Sequence, residues 1–186
     1  MRQIQQDRVA KVSSAEQKIP SEKQILQFMG SCLILVQAVE RMLGLVTTFV
    51  LQKPNMSSQK LLEQAQKESK RTLGYFLKEL HKRADIHPNF DDTLSRFLES
   101  RNKFAHSLSD IPGWDLQTEN GRAVAARFLM ELARTGGQVM SVFVALTKRW
   151  TKQVKINVSF EHEIIDEIAN AFGPLVDEVF MAKETK

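Results

Sequence analysis

The segment FLESRNKFAHSL, residues 97–108, contains three side chains that can do chemistry: Arg101, Asn102 and His106. A guanidinium binds carboxylates and phosphates, an amide donates and accepts hydrogen bonds, and an imidazole exchanges protons near neutral pH. On a helix with about 100° per residue, Arg101 points along the apolar stripe of its neighbours, while Asn102 and His106 lie one turn apart on the adjoining side. The segment therefore places a charge where a core residue is expected.

An arginine on an apolar stripe needs a partner, because a guanidinium is almost never fully buried alone. It can bond a buried carboxylate, reach an opening that holds an anion, or face another subunit. Glu40 is a candidate carboxylate, since it lies between Val36 and Leu43 on the apolar face of the first predicted helix. An Arg101–Glu40 pair would account for both charges structurally and could also orient the arginine. For His106, the structural alternative is a solvated residue near a helix C-terminus, where an imidazolium suits the helix dipole.

The string RNKFAH, residues 101–106, resembles the signature of HEPN domains, in which an Arg is followed after four to six residues by a His, commonly with Asn directly after the Arg. The preceding LSRFLESRN and the following AHSL are also similar to the HEPN signature helix, so the resemblance covers residues 92–109. It implies an all-α bundle with long antiparallel helices.

The same resemblance implies a metal-independent endoribonuclease that works as a toxin, in antiviral defence or in RNA processing. His106 would exchange a proton at a ribose 2′-OH, Arg101 would bind the scissile phosphate, and Asn102 would position one of these groups. Attack by the 2′-OH leaves a 2′,3′-cyclic phosphate, so the substrate would be RNA. Glu40 and Glu99 would be supporting residues, and we expect neither a cofactor nor a metal.

HEPN proteins commonly dimerise so that their two signature helices meet at a shared cleft. We therefore expect a homodimer in which Arg101 faces this cleft, with RNA as substrate and an antitoxin protein as a further partner. One HEPN subgroup is paired with nucleotidyltransferase antitoxins and carries Tyr two residues after the His, where this chain has Leu108. Silencing by nucleotidylation of that tyrosine is therefore not expected.

Two other functions are compatible with these residues. One is a non-catalytic HEPN-like module that binds RNA, nucleotide or a protein partner without cutting RNA. The other is a helical scaffold that uses its first helix for assembly. The basic segments KESKRT and KELHKR could contact RNA, although solvated helix faces account for them more simply. In TKRWTKQVK, Trp150 could stack on a base, although an anchor at a helix end accounts for it more simply. The remaining histidines, His81, His87 and His162, have no clear metal-ligand spacing.

Composition favours one compact domain, because 186 residues with 42% hydrophobic side chains can form a proper core. A net charge of +4 permits an anionic partner without requiring one. The single cysteine, Cys32, excludes an internal disulfide and is typical of a reducing compartment. The N-terminus lacks an apolar signal segment, and the longest uncharged stretch, residues 24–39, is short for a membrane span. We therefore expect a cytoplasmic protein without membrane contact.

Hydrophobic periodicity predicts the elements that must position these residues, as an all-α bundle of about five helices. We expect a polar N-terminal arm over residues 1–19 and a single helical, HEPN-like domain over residues 20–186. The predicted helices cover residues 22–52, 59–83, 92–108, 119–150 and 160–183.

Capping residues and breaks set these boundaries. The expected N-caps are, in order, Ser21 in a capping box with Gln24, Ser57 or Ser58, Asp91 or Asp92, Thr118, and Ser159. Pro88 predicts a break before the third helix, since a proline disfavours helix at the preceding residue. The pair Gly136-Gly137 is expected to kink or split the fourth helix, and residues 151–159 are expected to form a short extended connector.

Overall fold

The computed structural model describes residues 19–52, 73–155 and 180–182, together with single positions between 57 and 66. Almost all of these residues are helical, so the predicted all-α class is confirmed. The elements, in chain order, are α1 (Glu22–Leu45), which continues as a π-helix (Val46–Val50), α2 (Leu73–Arg83), β1 (Ala84–Ile86), α3 (Pro88–His106), a 3-10 turn (Leu108–Asp110), α4 (Glu119–Gln153) and β2 (Phe180–Ala182).

Three of the predicted N-caps are present. Ser21 and Gln24 form the capping box of α1. The backbone N–H of Gln24 donates to Ser21 Oγ at 3.3 Å, and the backbone N–H of Ser21 donates to Gln24 Oε1 at 2.8 Å. The Ser57 hydroxyl accepts from the Lys60 amide at 3.4 Å. The Thr118 hydroxyl caps α4 by accepting from the amide three residues later at 3.2 Å. Each cap satisfies an amide that has no partner within the first turn.

The predicted start of the third helix is wrong by four residues. α3 begins at Pro88, and His87 is its N-cap, with the imidazole Nδ1 accepting from the Asn89 amide at 3.2 Å. Asp91 and Asp92 therefore lie inside the helix instead of capping it. Pro88 starts the helix because its missing N–H needs no partner in the first turn and its fixed φ suits the helix. The helix ends at His106, two residues before the predicted end.

The fourth helix is continuous across Gly136-Gly137, so the expected kink or split is absent. A Cβ on Gly136 would lie 3.0 Å from Phe97 Cε2 and 3.1 Å from Leu35 Cδ2. This glycine therefore allows α1 and α3 to approach α4 closely, and it is a packing residue. α4 also continues to Gln153, so the predicted extended connector is helical over its first three residues.

The C-terminal end of the last predicted helix is wrong. Phe180–Ala182 form β2, which pairs antiparallel with Ala84–Ile86, β1. This pairing gives the backbone N–H and C=O groups of β1 hydrogen-bond partners. The rest of the predicted helix over residues 160–183, and the polar arm up to residue 18, lie outside the described residues.

α1 and α4 run in the same direction. The Cys32 thiol lies 3.6 Å from the Leu129 carbonyl oxygen, and further along both helices the Thr147 hydroxyl lies 3.7 Å from Met42 Sδ. Later residues of α1 therefore contact later residues of α4. The long chain between α1 and α4 leaves their relative direction free, unlike a short hairpin connection.

α3 and α4 run in opposite directions. Near the start of α3, the Phe90 ring meets the Phe143 ring edge-on with centroids 5.9 Å apart. About two turns later, Phe97 reaches Gly136, which precedes Phe143 in α4. Phe90, Leu94 and Phe97 are the buried residues of α3. The next position on this side of the helix is Arg101.

Candidate functional site

Arg101 and Glu40 form the ion pair that the sequence analysis predicted. Arg101 Nε lies 2.6 Å and Arg101 Nη2 lies 2.5 Å from Glu40 Oε1, so the guanidinium holds one carboxylate oxygen with two of its nitrogens. The two side chains are 21% and 29% exposed, respectively. The pair therefore lies at the rim of the core between α1 and α3, where each charge is partnered and still touches solvent.

Asn102 extends this pair towards the surface. Arg101 Nη1 donates to Asn102 Oδ1 at 3.0 Å. A guanidinium has five N–H donors, and among the described residues Glu40 and Asn102 engage three of them. Two donors are therefore left for a further acceptor, and Asn102 itself is exposed. Glu40, Arg101 and Asn102 form a hydrogen-bonded chain from the rim of the core to solvent.

His106 is exposed and is the last residue of α3. It follows Arg101 by five residues, which corresponds to about 140° of rotation and about 7.5 Å along the helix axis. The two side chains of one copy therefore point to different sides of α3. Asn102 lies between them, since it is next to Arg101 and one turn before His106. The His106 imidazole forms no hydrogen bond with another residue of the part of the chain that the structure describes.

The structure does not bring Glu99 to Arg101. Its carboxylate accepts a hydrogen bond from Lys103 Nζ at 2.7 Å. This hydrogen bond holds the pKa of Glu99 below its ordinary value. Glu99 lies seven residues before His106, so the two share the outer side of α3. Glu99 instead lines a groove on the other side of α3 from Arg101.

That groove was not predicted. It has a volume of about 220 Å³ and lies between α3, the turn after it and α4. Arg96 lines the groove, and its guanidinium forms ion pairs with Asp92 at 3.0 Å and Glu131 at 3.7 Å. The positive charge of Arg96 is therefore largely compensated by these two carboxylates. Sequence reasoning missed the groove because its walls come from three separate segments. The lining residues are Arg96, Glu99, Ser100, Lys103, Asp110, Ile111, Pro112, Phe128 and Glu131.

Two of the other histidines have structural positions. The His81 ring lies 2.7 Å from Asp91 Oδ1 and 2.8 Å from the Leu77 carbonyl oxygen, which ties α2 to α3. His87 caps α3. Within the described ranges, no three His, Cys, Asp or Glu side chains are grouped so that they could hold a metal ion. His162 lies outside those ranges.

No protein-family model, curated protein or solved structure gives a significant match to this chain. The resemblance to HEPN domains therefore depends on the residues of α3 themselves. Their geometry is an anchored guanidinium, a neighbouring amide and an exposed imidazole at the end of one helix. The guanidinium can bind an oxyanion, and the imidazole, on a different side of α3, can exchange a proton.

Proposed function

We propose that this chain is a HEPN-type, metal-independent endoribonuclease that works as a homodimer, with Arg101, Asn102 and His106 as its catalytic residues. The observation that carries the proposal is the anchoring of Arg101 by Glu40. An arginine fixed on one side and open on the other is suited to bind a phosphate, because its remaining donors are held in place before the substrate arrives.

In the proposed reaction, His106 takes the proton of a ribose 2′-OH while the 2′ oxygen attacks the neighbouring phosphorus. The bond from phosphorus to the 5′ oxygen breaks, and that oxygen receives a proton from the imidazolium of the second copy. Arg101 compensates the charge that develops on the phosphate oxygens, and Asn102 holds the guanidinium. The products are a 2′,3′-cyclic phosphate and a 5′-hydroxyl.

The helix geometry favours a site built from two copies. In a single copy, Arg101 and His106 diverge by about 140° around α3, so one small phosphate would have to contact opposite sides of the same helix. Two facing helices remove this difficulty, because the arginine of one and the histidine of the other can approach the same phosphate. Glu40 then acts as a positioning residue, which sets the direction of the guanidinium without touching RNA.

A second candidate function is a non-catalytic module that binds RNA or nucleotide. It is favoured by the engagement of three Arg101 donors within the described residues and by the solvent position of His106. Such a module would hold phosphate through the two remaining donors and leave the imidazole unused. Its RNA affinity would fall as salt is raised, without cleavage.

The proposal includes a toxin or antiviral-defence role in the cytoplasm. Cleavage of cellular RNA would stop growth, and an antitoxin protein would hold the activity in check. Expression of the wild-type chain should therefore slow growth, whereas expression of the His106→Ala chain should not.

The biochemical test is cleavage of single-stranded RNA by the purified chain in EDTA. The variant is His106→Asn, and its matched control is His87→Asn at the other end of α3, since asparagine is also a good N-cap and preserves the helix start. We expect His106→Asn to reduce the rate by at least about 100-fold, the usual lower range for general acid–base catalysis, and His87→Asn to leave it unchanged.

The other outcomes separate the candidates. RNA binding without cleavage would replace the nuclease with the binding module. Cleavage that survives in His106→Asn would refute the assignment of the histidine. A chain that neither binds nor cuts RNA would exclude both functions and favour the helical scaffold.

A further inference from the structure

The last turn of α2 is fixed to the end of α1 by an arginine. Arg83 Nη1 donates to the Thr47 carbonyl oxygen and, at 3.3 Å, to the Leu51 carbonyl oxygen. Carbonyl groups at a helix C-terminus lack partners within their own helix, so a guanidinium suits this position. Arg83 Nη2 donates to Glu79 Oε2 at 2.9 Å, which fixes the direction of the guanidinium. This contact keeps its charge at every ordinary pH, because an arginine does not lose its proton in proteins.

The same turn is joined to the start of α3 by a histidine. His81 Nδ1 lies 2.8 Å from the Leu77 carbonyl oxygen, and His81 Nε2 lies 2.7 Å from Asp91 Oδ1. Asp91 belongs to the first turn of α3. The last turn of α2 therefore connects the end of α1 to the start of α3. These are the two helices that carry Glu40 and Arg101.

Both nitrogens of the His81 ring face oxygen atoms that only accept hydrogen bonds. One is a backbone carbonyl oxygen and the other is a carboxylate oxygen. A neutral imidazole has one N–H donor, so its second nitrogen would turn a lone pair towards an oxygen lone pair. One of the two contacts would then open. Both contacts are satisfied together only when His81 and Asp91 hold one proton more than a neutral imidazole and a carboxylate.

We propose that residues 77–83 form a proton-dependent staple, the α2 staple, which holds the start of α3 to the end of α1 while the His81 imidazole is charged. Loss of that proton opens the connection to α3, whereas the connection through Arg83 stays closed. The inference relies on the proposed function only for its consequence, which is that the relative position of Glu40 and Arg101 changes with pH.

The charged groups near His81 favour the charged ring. Asp91 on α3 is in direct contact with it, and Asp85 on β1 follows it by four residues. On α2, Lys78 is one turn before it. The other charges of this region form pairs of their own, namely Glu79 with Lys82 and Arg83, and Asp92 with Arg96. Two carboxylates therefore act against one ammonium group, and this balance stabilises an imidazolium.

A second histidine at the start of α3 has the opposite requirement. His87 Nδ1 accepts a hydrogen bond from the Asn89 backbone N–H at 3.2 Å, so protonation of His87 removes the N-cap of α3. This effect weakens the fold in acid, whereas the α2 staple strengthens it. It is common to the wild type and to the Asp91 and Asp92 variants used below, and it cancels when they are compared.

The first test follows the His81 ring by NMR of the full-length chain. Ring 15N chemical shifts are recorded from about pH 5 to about pH 9, and the His81 signals are those that His81→Gln removes. In Asp91→Asn the new amide can donate to Nε2, so a neutral ring is satisfied at both nitrogens. The titration midpoint should therefore fall by about half a pH unit, as expected for a half-exposed pair. The matched control is Asp92→Asn in the same helical turn, which should shift the midpoint much less.

The second test is thermal unfolding, for which the staple fixes the sign of the pH dependence. The charged ring is favoured in the folded chain, so its contribution is complete below about 6.5, the ordinary pKa of an unfolded histidine. The contribution disappears as the folded chain loses the proton at higher pH. The difference in Tm between wild type and Asp91→Asn should therefore be larger at pH 6 than at pH 9. The difference for Asp92→Asn should be the same at both, because its partner Arg96 keeps its charge.

Three results would overturn the α2 staple: equal His81 midpoints in wild type and Asp91→Asn, a neutral His81 ring at pH 6, or a Tm difference that does not narrow between pH 6 and pH 9. The proposed function fails in a different way. If the chain cuts RNA, the advantage of wild type over Asp91→Asn in cleavage rate should decrease as the pH rises. No cleavage by the wild type would refute the nuclease, and the NMR and unfolding results would still decide on the staple.

Discussion

The pair Gly136 and Gly137 offers a sharp test of how α1, α3 and α4 are packed. The two glycines are neighbours in one continuous helix, but their surroundings differ. A Cβ on Gly136 would lie 3.0 Å from Phe97 Cε2 and 3.1 Å from Leu35 Cδ2, whereas a Cβ on Gly137 would meet nothing within 4 Å. We predict opposite effects of Gly136→Ala and Gly137→Ala on stability.

The magnitudes follow from two terms. In a helix interior, replacing Gly by Ala stabilises the folded state by about 0.8–1 kcal/mol, and Gly137→Ala should show this gain. Gly136→Ala has the same gain but forces Phe97 and Leu35 outward, and overpacking a core typically costs about 1–3 kcal/mol. Gly136→Ala should therefore be less stable than Gly137→Ala by about 1–3 kcal/mol.

The assay is urea and thermal unfolding followed by circular dichroism. For a chain of this size, 1 kcal/mol shifts the thermal midpoint by about 2–4 °C, so the two variants should be clearly separated. Equal midpoints, or a more stable Gly136→Ala, would refute the close three-helix packing. Because Phe97 is one turn before Arg101, we also expect Gly136→Ala to slow RNA cleavage and Gly137→Ala to leave it unchanged.

Two further predictions concern the ion pairs. Glu40→Gln should lower the free energy of unfolding by about 1 kcal/mol, the upper range for exposed pairs, and it should reduce RNA cleavage because Arg101 loses its anchor. A double-mutant cycle with Arg101→Met measures the coupling free energy between the two side chains. A coupling free energy of zero would contradict the pairing. The hydrogen bond from Lys82 lowers the pKa of Glu79, so this carboxylate stabilises the fold above the pKa of an unfolded glutamate, about 4.3. The stability difference between wild type and Glu79→Gln should therefore disappear as the pH falls through the lowered pKa of Glu79, and a difference that persists in acid would contradict this assignment.

The starts of α1 and α4 and one central contact were predictable from the sequence. Capping residues such as Ser21 and Thr118 act within one turn, so a local pattern is enough to identify them. The Arg101–Glu40 contact was predictable for a different reason. Two opposite charges on the apolar faces of separate helices each need a partner, and the simplest partner is the other charge.

Features that depend on distant segments were not predictable. Pro88 could end one element or begin the next, and only the position of β1 and its partner β2 shows that it begins α3. Gly136 resembles a helix breaker until Phe97 and Leu35 are seen against it. The groove beside Glu99 likewise has walls from three segments, which periodicity cannot bring together.

In the proposed reaction, the 2′-OH of RNA attacks the phosphate beside Arg101 and His106. The most direct measurement uses a short RNA with a single 2′-deoxynucleotide at the cleaved position, incubated with the wild-type chain in EDTA, with the product ends identified by mass spectrometry. We predict a 2′,3′-cyclic phosphate and a 5′-hydroxyl from the all-ribose strand, and no cleavage at the deoxy position. Cleavage at the deoxy position, a product with a 5′-phosphate, or no cleavage of either strand would contradict the account.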